Sequence, residues 1–435
     1  MDKLALIINL NNEPNNYKEA ISSPNNKEWI EAMQKEIDEL NRQNTWNLAN
    51  LPDNRTALRG KWVYKIKTDI NNNIIKYKAK WVVKGFNQVL GIDYLDTFST
   101  TCRPESYRTI FILAMQNRWK LHQYNIKNAF VHANIDKEIY IEQPISFEKE
   151  ADIKDNYKLI NNIRTDNKRV KTETLSKRKE SFSNNKLVCK LNKALYGLKQ
   201  SPRLWYKYLL DTCKEHGFIV LLFDEAIFIH EEYKIIIICH VDDLIITGPD
   251  ETKITDIINK LSNKLKLEYI GLINQFLGME INLDYKNKTI LIHQTKYLNN
   301  IIQRFNKGNL TPVLTPIELG VQLYKAEDKA NKEDLTLYQQ QIGSLIYLST
   351  KTRPDIAFAV GKCARFMSNP DITHFRALDR IWKYLNKYPT LGKNYNCNDN
   401  IFKLIGYTDA DWGGDIVGRK STSGFVYLLN NNIIS

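Results

Sequence analysis

Two aspartates, Asp242 and Asp243, interrupt the most hydrophobic stretch of the chain, which reads AIFIH, then IIIICH, VDD and LIIT. Adjacent carboxylates at the end of a buried hairpin repel each other and are costly to desolvate. A divalent cation relieves both costs. Mg²⁺ favours oxygen ligands and keeps positions open for phosphate oxygens. A solvated turn would also carry two aspartates without strain, since aspartate is common in turns. The pair alone leaves both readings open.

Such a pair needs a rigid frame, and the surrounding pattern supplies one. Residues 226–247 read as a β-hairpin whose continuous isoleucine run suits a strand buried on both faces. Asp250 then caps a helix with Ile254, Ile257, Ile258, Leu261 and Leu265 inward. Residues 60–84 read as a second hairpin around Asn71, Asn72 and Asn73. In it Trp62, Tyr64 and Ile66 alternate with Lys61, Lys65 and Lys67, giving one apolar and one cationic face. Trp29, Ile30, Met33, Ile37 and Leu40 fall on one helical stripe, with Asn25 or Asn26 as its cap. Residues 105–119 look helical, and 335–388 are mostly helical after a less regular stretch from 306. A new strand pattern begins at Phe402. The polar, Asn-rich residues 1–26 are expected to be loosely ordered. Residues 148–185, polar and nearly free of aromatics, are expected to form a flexible insertion.

At 435 residues the chain should hold two or more packed units, at ~100–200 residues per domain. A net charge of +13 puts nucleic acid first among partner classes, with anionic membrane surfaces second. No apolar run reaches transmembrane length, and the segment LALII near Met1 is too short for a secretion signal. Six scattered cysteines exclude a zinc knuckle built from them and point to a reducing compartment. Heavy use of Lys, Asn and Ile matches an AT-rich coding sequence, which accounts for part of the charge.

His240-Val241-Asp242-Asp243, bracketed by IIIIC and LIITG, resembles the Tyr-Val-Asp-Asp box of reverse transcriptases. Four further segments resemble the copia-type branch: YKAKWVVKGFNQVLGIDYLDTF (Tyr77 to Phe98), KALYGLKQSPRLWY (Lys193 to Tyr206), QFLGMEI (Gln275 to Ile281) and IGSLIYLSTKTRPDI (Ile342 to Ile356). The motifs run in family order from about Trp29 to Gly424.

The resemblance implies an α+β, right-hand polymerase fold with fingers, palm and thumb. By that likeness residues 27–285 would be fingers and palm, 286–398 thumb and connection, and 399–435 a truncated RNase H-like domain. The implied activity is synthesis of DNA on RNA and DNA templates by a two-metal mechanism, with Mg²⁺ expected twice and Mn²⁺ as a substitute. Implied partners are an RNA template, a DNA primer, their RNA–DNA hybrid and deoxynucleoside triphosphates, with no membrane. The family acts in cytoplasmic virus-like particles, with a nuclear stage open.

Residue by residue, Asp242 and Asp243 would be two metal-binding carboxylates. The third should end the strand Leu121 to Ile126, where the family has aspartate and this chain has Asn125. A carboxamide is neutral and offers one ligating oxygen. The expectation is therefore a catalytically impaired copy. The alternatives are a nucleic-acid-binding remnant or a pseudogene product. Asp136, eleven positions on, is too far to substitute. His240 replaces the box tyrosine near the primer end. Phe130 would gate against the ribose 2′-hydroxyl, and Lys80 would stand in for an arginine facing the triphosphate. Gly197 would permit close backbone approach, while Gln200, Ser201 and Pro202 would line the template and nucleotide side. Phe276, Leu277 and Gly278 resemble the primer grip. GYTDADW, Gly406 to Trp412, resembles the opening RNase H strand, with Asp409 as its first ligand and Asp411 close by. Its other acidic ligands would lie further on, so RNase H activity is expected to be absent. The whole reads as a piece of a Pol polyprotein.

Overall fold

A computed structural model describes residues 13–68, 73–149, 187–398, 402–414 and 417–435. From residue 150 onward, the expected insertion at 148–185 lies outside the described residues. A short helix, α1 (Tyr17–Ser22), corrects the expectation that residues 1–26 are loosely ordered throughout. Asn16 caps it by accepting the Glu19 N–H, and Ala20 is fully buried, so a cap and one core contact hold a single turn in place. Helix α2 (Asn26–Arg42) buries Trp29, Met33, Ile37 and Leu40, but Ile30 of the expected stripe is 49% exposed. Asn25 occupies the cap position without a side-chain bond.

Strand β1 (Trp46–Ala49) precedes the expected hairpin, β2 (Gly60–Thr68) and β3 (Ile74–Val83). Trp62, Tyr64, Ile66, Ala79 and Trp81 are buried against α2, whose Trp29 meets Tyr64 and Tyr77 edge-on at 5.1 and 4.8 Å. Lys61, Lys65, Lys67 and Lys76 stay in solvent, as period-two alternation requires. Helix α3 (Pro104–Gln116) and strand β4 (His122–Ile126) follow. The short strands β5 (Tyr140–Ile141) and β6 (Val188–Leu191) then join β1 in one sheet.

After helix α4 (Ser201–Glu215) the chain lays down β7 (Phe218–Leu221), β8 (Asp224–His230), β9 (Ile235–His240) and β10 (Asp243–Thr247). Helix α5 (Glu251–Ser262) and β11 (Leu267–Leu272) complete this region. The central sheet is antiparallel, in the order β11-β4-β10-β9-β8-β7. Its isoleucines divide strictly. Ile235, Ile237 and Ile246 pack under α4 and α5, while Ile236, Ile238 and Ile245 face α3. Each contributes ~1.5–3 kcal/mol by leaving water, so the sheet is anchored by apolar packing on both faces. Asp250 caps α5 as expected, accepting the N–H of Thr252 at 2.8 Å.

A smaller sheet joins β12 (Gln275–Phe276), β13 (Met279–Asp284), β14 (Thr289–His293) and β15 (Lys393–Asn396). Between β14 and β15 lie helices α6 (Thr295–Arg304), α7 (Lys332–Lys351), α8 (Ala357–Ala364) and α9 (Ile372–Lys387). The division expected at 285/286 falls inside the β13–β14 hairpin. Ile281, Ile290 and Ile292 share one core with α3 and the central sheet, so no boundary forms there. In the TRPD segment Arg353 is 1% exposed. Its guanidinium binds both oxygens of Asp355 and the Tyr388 carbonyl, so this stretch of the family signature is structural.

The chain then forms a three-stranded sheet, β16 (Leu404–Ala410), β17 (Ser423–Leu429) and β18 (Asn432–Ile433). Leu404, Tyr407 and Phe425 on its strands, and Trp412 just after β16, are exposed. Its far end is nevertheless fastened, which the expected boundary at 398/399 did not foresee. The Asn432 side chain bonds the Asn396 backbone on both sides, and the Tyr395 hydroxyl donates to the Ile433 carbonyl at 2.9 Å. Arg108 of α3 donates to the carbonyls of Ile434 at 2.8 Å and Lys351 at 3.1 Å. Leu429 and Ile434 enter the core beneath the central sheet. Among the described residues no helix is long and apolar enough to cross a membrane. All six cysteines are free and buried.

Candidate active site

His240 ends β9 and Asp243 opens β10, so Val241 and Asp242 form a two-residue turn. Val241 has φ 59°, a conformation that a β-branched residue adopts only when its surroundings enforce it. Two bonds do so. Trp205 Nε1 donates to the Val241 carbonyl at 2.8 Å, and the Ile126 N–H donates to the Asp242 carbonyl at 2.7 Å. The tryptophan of KALYGLKQSPRLWY thus clamps the acidic turn.

Strand β4 lies beside β10 with Asn125 directly opposite Asp243. The Asn125 amide nitrogen is 3.3 Å from Asp243 Oδ1 and 3.4 Å from the Asp242 carbonyl. Burial raises the Asp243 carboxyl above the usual carboxylate range and the Asp242 charge raises it further; the Asn125 bond and Lys67 pull it back. Asp136 sits elsewhere, 3.8 Å from Arg203. Among the described residues no three His, Cys, Asp or Glu side chains gather as a metal site would need. The donor set therefore fits one hard cation between Asp242 and Asp243. Position 125 adds a neutral amide, with one potential oxygen ligand, where a third carboxylate would add charge.

Lys80 Nζ lies 3.5 Å from the centroid of the Tyr196 ring, and that ring meets Phe130 edge-on at 4.4 Å. Burial lowers the Lys80 amine to about 8, with Lys78 adding to the fall and Glu36 and Asp242 opposing it. Gly197 has φ 95°, and a Cβ there would come within 2.0 Å of the Val83 carbonyl oxygen, so this close approach admits only glycine. Gln200 and Ser201 are fully buried, which corrects their expected place on a substrate-lining surface. The Gln200 amide bonds Gln88 and the Asp93 carbonyl, and the Ser201 hydroxyl bonds the Leu195 carbonyl. Both pin the 85–94 loop and the start of α4. The Pro202 carbonyl accepts the Ser99 hydroxyl.

His240 meets Phe276 edge-on at 6.3 Å, which joins the acidic box to the QFLG segment. Phe276 itself is a core residue, 1% exposed and packed on Tyr107 and Phe111. Leu277 and Gly278, at φ 50° and 74°, make the tight turn between β12 and β13. The Tyr347 hydroxyl holds the Leu277 carbonyl at 3.0 Å. Asp409 is exposed and accepts the neighbouring Ala410 N–H at 2.8 Å, while Asp411 accepts the Thr422 N–H.

Three residues near the site were not singled out from the sequence: Trp205, Tyr196 and Glu36. The first two lie within the KALYGLKQSPRLWY segment but carry no individual signal. Glu36 did carry one, since an acid stands on a helix face otherwise given to Trp29, Met33 and Leu40.

A family model described as reverse transcriptase (RNA-dependent DNA polymerase) matches residues 43–165 and 167–319, more than half of the chain. The chain belongs to the reverse transcriptase family. The Pol polyprotein of transposon TNT 1-94 from Nicotiana tabacum is 34% identical over 99% of this chain and 30% of the relative. That of transposon RE1 from Arabidopsis thaliana is 31% identical over 99% of this chain and 27% of its own length. The likeness to copia-type Pol is thus borne out, and the chain spans about a third or less of these relatives. A foamy viral protease-reverse transcriptase solved with double-stranded DNA covers 93% of this chain and 54% of its own, at 13% identity and a TM-score of 0.44. As a family, reverse transcriptases depend on divalent metal ions and act on nucleic acid.

Proposed function

We propose that this chain is the RNA-directed DNA polymerase region of a copia-type retrotransposon Pol protein, and that Asn125 impairs it. The observation that carries the reading is the register of β4 and β10, which sets Asn125 opposite Asp243. On this reading the hairpin β2–β3 belongs to the fingers, the central sheet is the palm, and helices α6–α9 form thumb and connection. The strands from β16 on are the opening of an RNase H-like domain. The substrates are an RNA template or RNA–DNA hybrid, a DNA primer and deoxynucleoside triphosphates, handled in a cytoplasmic particle with a nuclear stage open.

Asp242 and Asp243 would hold Mg²⁺, or Mn²⁺ in its place, which when bound supplies charge stabilisation to the triphosphate and the primer end. Lys80 adds a cation on the triphosphate side, and Phe130 backs the sugar through Tyr196. His240, seated on Phe276, and the Leu277–Gly278 turn support the primer end. Gly197 lets β3 and the 193–206 segment approach closely, and Gln200 fixes the loop between them. A neutral amide at 125 withholds one negative charge from this cradle. Losing it costs several kcal/mol in the transition state, on the order of 10²–10⁴ in rate.

Primer extension with Mg²⁺ and then Mn²⁺ tests the reading. Asn125→Asp, nearly isosteric, should raise the rate by that factor, and adding Asp242→Asn should abolish the gain. Equal rates for the natural chain and Asn125→Asp would remove Asn125 from the metal position. A second reading, a nucleic-acid-binding remnant, is favoured by the exposed lysines of β2 and β3. It predicts hybrid binding that falls steeply with salt and is indifferent to residue 125.

A further inference from the structure

We propose that Tyr196 joins the triphosphate contact to the sugar gate: its ring seats Lys80 and Phe130 together, so nucleotide affinity and discrimination against ribose both depend on it. The inference rests on the polymerase reading, which gives Lys80 and Phe130 their roles, and adds a positioning residue between them. Both contacts are short. Lys80 Nζ lies over the ring, 3.5 Å from its centroid. Phe130 meets the same ring at 4.4 Å, with the planes at 60°. A cation on an aromatic face and an edge-to-face ring pair are both attractive, and both depend on where the ring stands.

Backbone bonds fix the segments that meet there. The Val83 N–H, further along β3 from Lys80, donates to the Tyr196 carbonyl at 2.8 Å. The Ala194 N–H donates to the Ala133 carbonyl at 2.9 Å, which ties the segment of Tyr196 to the turn that carries Phe130. Tyr196 is thus fastened to the strand of one partner and to the turn of the other. Its hydroxyl does not explain the placement. Among the described residues Tyr196 Oη is buried without a hydrogen-bond partner, which costs stability instead of adding to it. The ring is what the site uses. The bland alternative is that Tyr196 only fills space beneath β3. Lys80 and Phe130 would then act independently, and an aliphatic side chain would serve as well.

The first readout needs no polymerase activity. In the full chain, acylation of Lys80 by a small amine-reactive reagent at fixed pH is followed by peptide mass spectrometry, with exposed Lys61 as reference. Tyr196→Leu should speed it on the order of 10-fold, because no ring holds the ammonium. Tyr196→Phe, which keeps the ring, should bring the rate most of the way back. Phe130→Leu loosens the ring without touching Lys80 and should speed labelling about threefold. It should add nothing once residue 196 is leucine. An unchanged rate in Tyr196→Leu, or Tyr196→Phe as fast as Tyr196→Leu, overturns the proposal. Should Tyr196→Leu not fold, Phe130→Leu decides alone, and labelling at the natural rate overturns it.

The second readout is primer extension in the Asn125→Asp background. There Tyr196→Leu should raise the deoxynucleotide KM about 10-fold, far more than it lowers kcat. Discrimination between deoxy- and ribonucleotide should fall about 10-fold in the same protein, and Tyr196→Phe should restore most of both. A raised KM with discrimination intact overturns the link to the sugar gate, and a loss confined to kcat overturns the nucleotide role. If Asn125→Asp itself extends no primer, the polymerase reading fails, and the labelling experiment still decides whether Tyr196 joins Lys80 to Phe130.

Discussion

Two acidic pairs stand on strands of this molecule, and the fold treats them in opposite ways. Asp242 and Asp243 end a hairpin whose strands are covered on both faces, under a turn clamped by Trp205 and Ile126. Asp409 and Asp411 lie at the end of β16, where the sheet is exposed and the acids bond nearby backbone N–H groups. The sequences VDD and TDAD look equally promising for metal chemistry. Desolvation separates them: burial and the neighbouring Asp242 raise the Asp243 carboxyl, whereas Asp409 and Asp411 stand exposed to solvent.

The largest expected effect tests that contrast directly. In the Asn125→Asp background, Asp243→Asn should cut primer extension by more than about 10³-fold, while Asp409→Asn stays within about twofold. A comparable loss from both would erase the distinction. Next comes the fastening of the C-terminal sheet. Arg108→Met removes two charge-assisted bonds to buried carbonyls and should cost ~2–4 kcal/mol in urea unfolding. Hydrogen exchange should then quicken in residues 423–434 while β9 and β10 stay protected. Unchanged exchange in β17 would mean that the apolar contacts of Leu429 and Ile434 suffice.

A smaller effect is expected at the clamp. Trp205→Phe keeps the ring and loses the N–H to Val241, so the strained turn should relax. Extension by the Asn125→Asp protein should fall ~10-fold, with stability down by about 1 kcal/mol. The smallest effect is a stability change at Asp243. Its folded carboxyl titrates above its unfolded value, so its contribution to stability is full below the unfolded value and is lost as pH rises through the folded one. At neutral pH Asp243→Asn should therefore raise Tm by roughly 1–3 °C, and the gain should vanish on acidification toward pH ~4. A Tm gain that is the same at both pH values would show that charge is not its cause.

The parts legible in the sequence were those where one physical rule dominates. Continuous isoleucines in β9 announced a doubly covered strand, and the alternation of Trp62, Tyr64 and Ile66 with lysines announced the hairpin. Family likeness supplied what periodicity could not, the pairing of Asn125 with Asp243 across more than a hundred residues. Other features escaped because they depend on tertiary partners. Gln200 reads as a surface amide until Gln88 and Asp93 close over it. Ile30 sits one position from the buried face and points to water. Helix α1 is too short for any periodic signal, and its existence depends on Asn16 and the burial of Ala20. The boundary at 285/286 failed because β14 and β15, almost a hundred residues apart, pair in one sheet.

Arg108 has a further consequence, for the order in which the protein can be made. Its acceptor at Ile434 lies 326 positions along the chain. At about 5–20 residues per second a ribosome needs roughly 16–65 s to travel that distance. Throughout that interval a guanidinium destined for burial must stay hydrated or find a provisional partner. Helix α3 and the underside of the central sheet therefore cannot close fully until synthesis has passed residue 434. The core beneath the central sheet closes only when the segment around Ile434 arrives to meet Arg108.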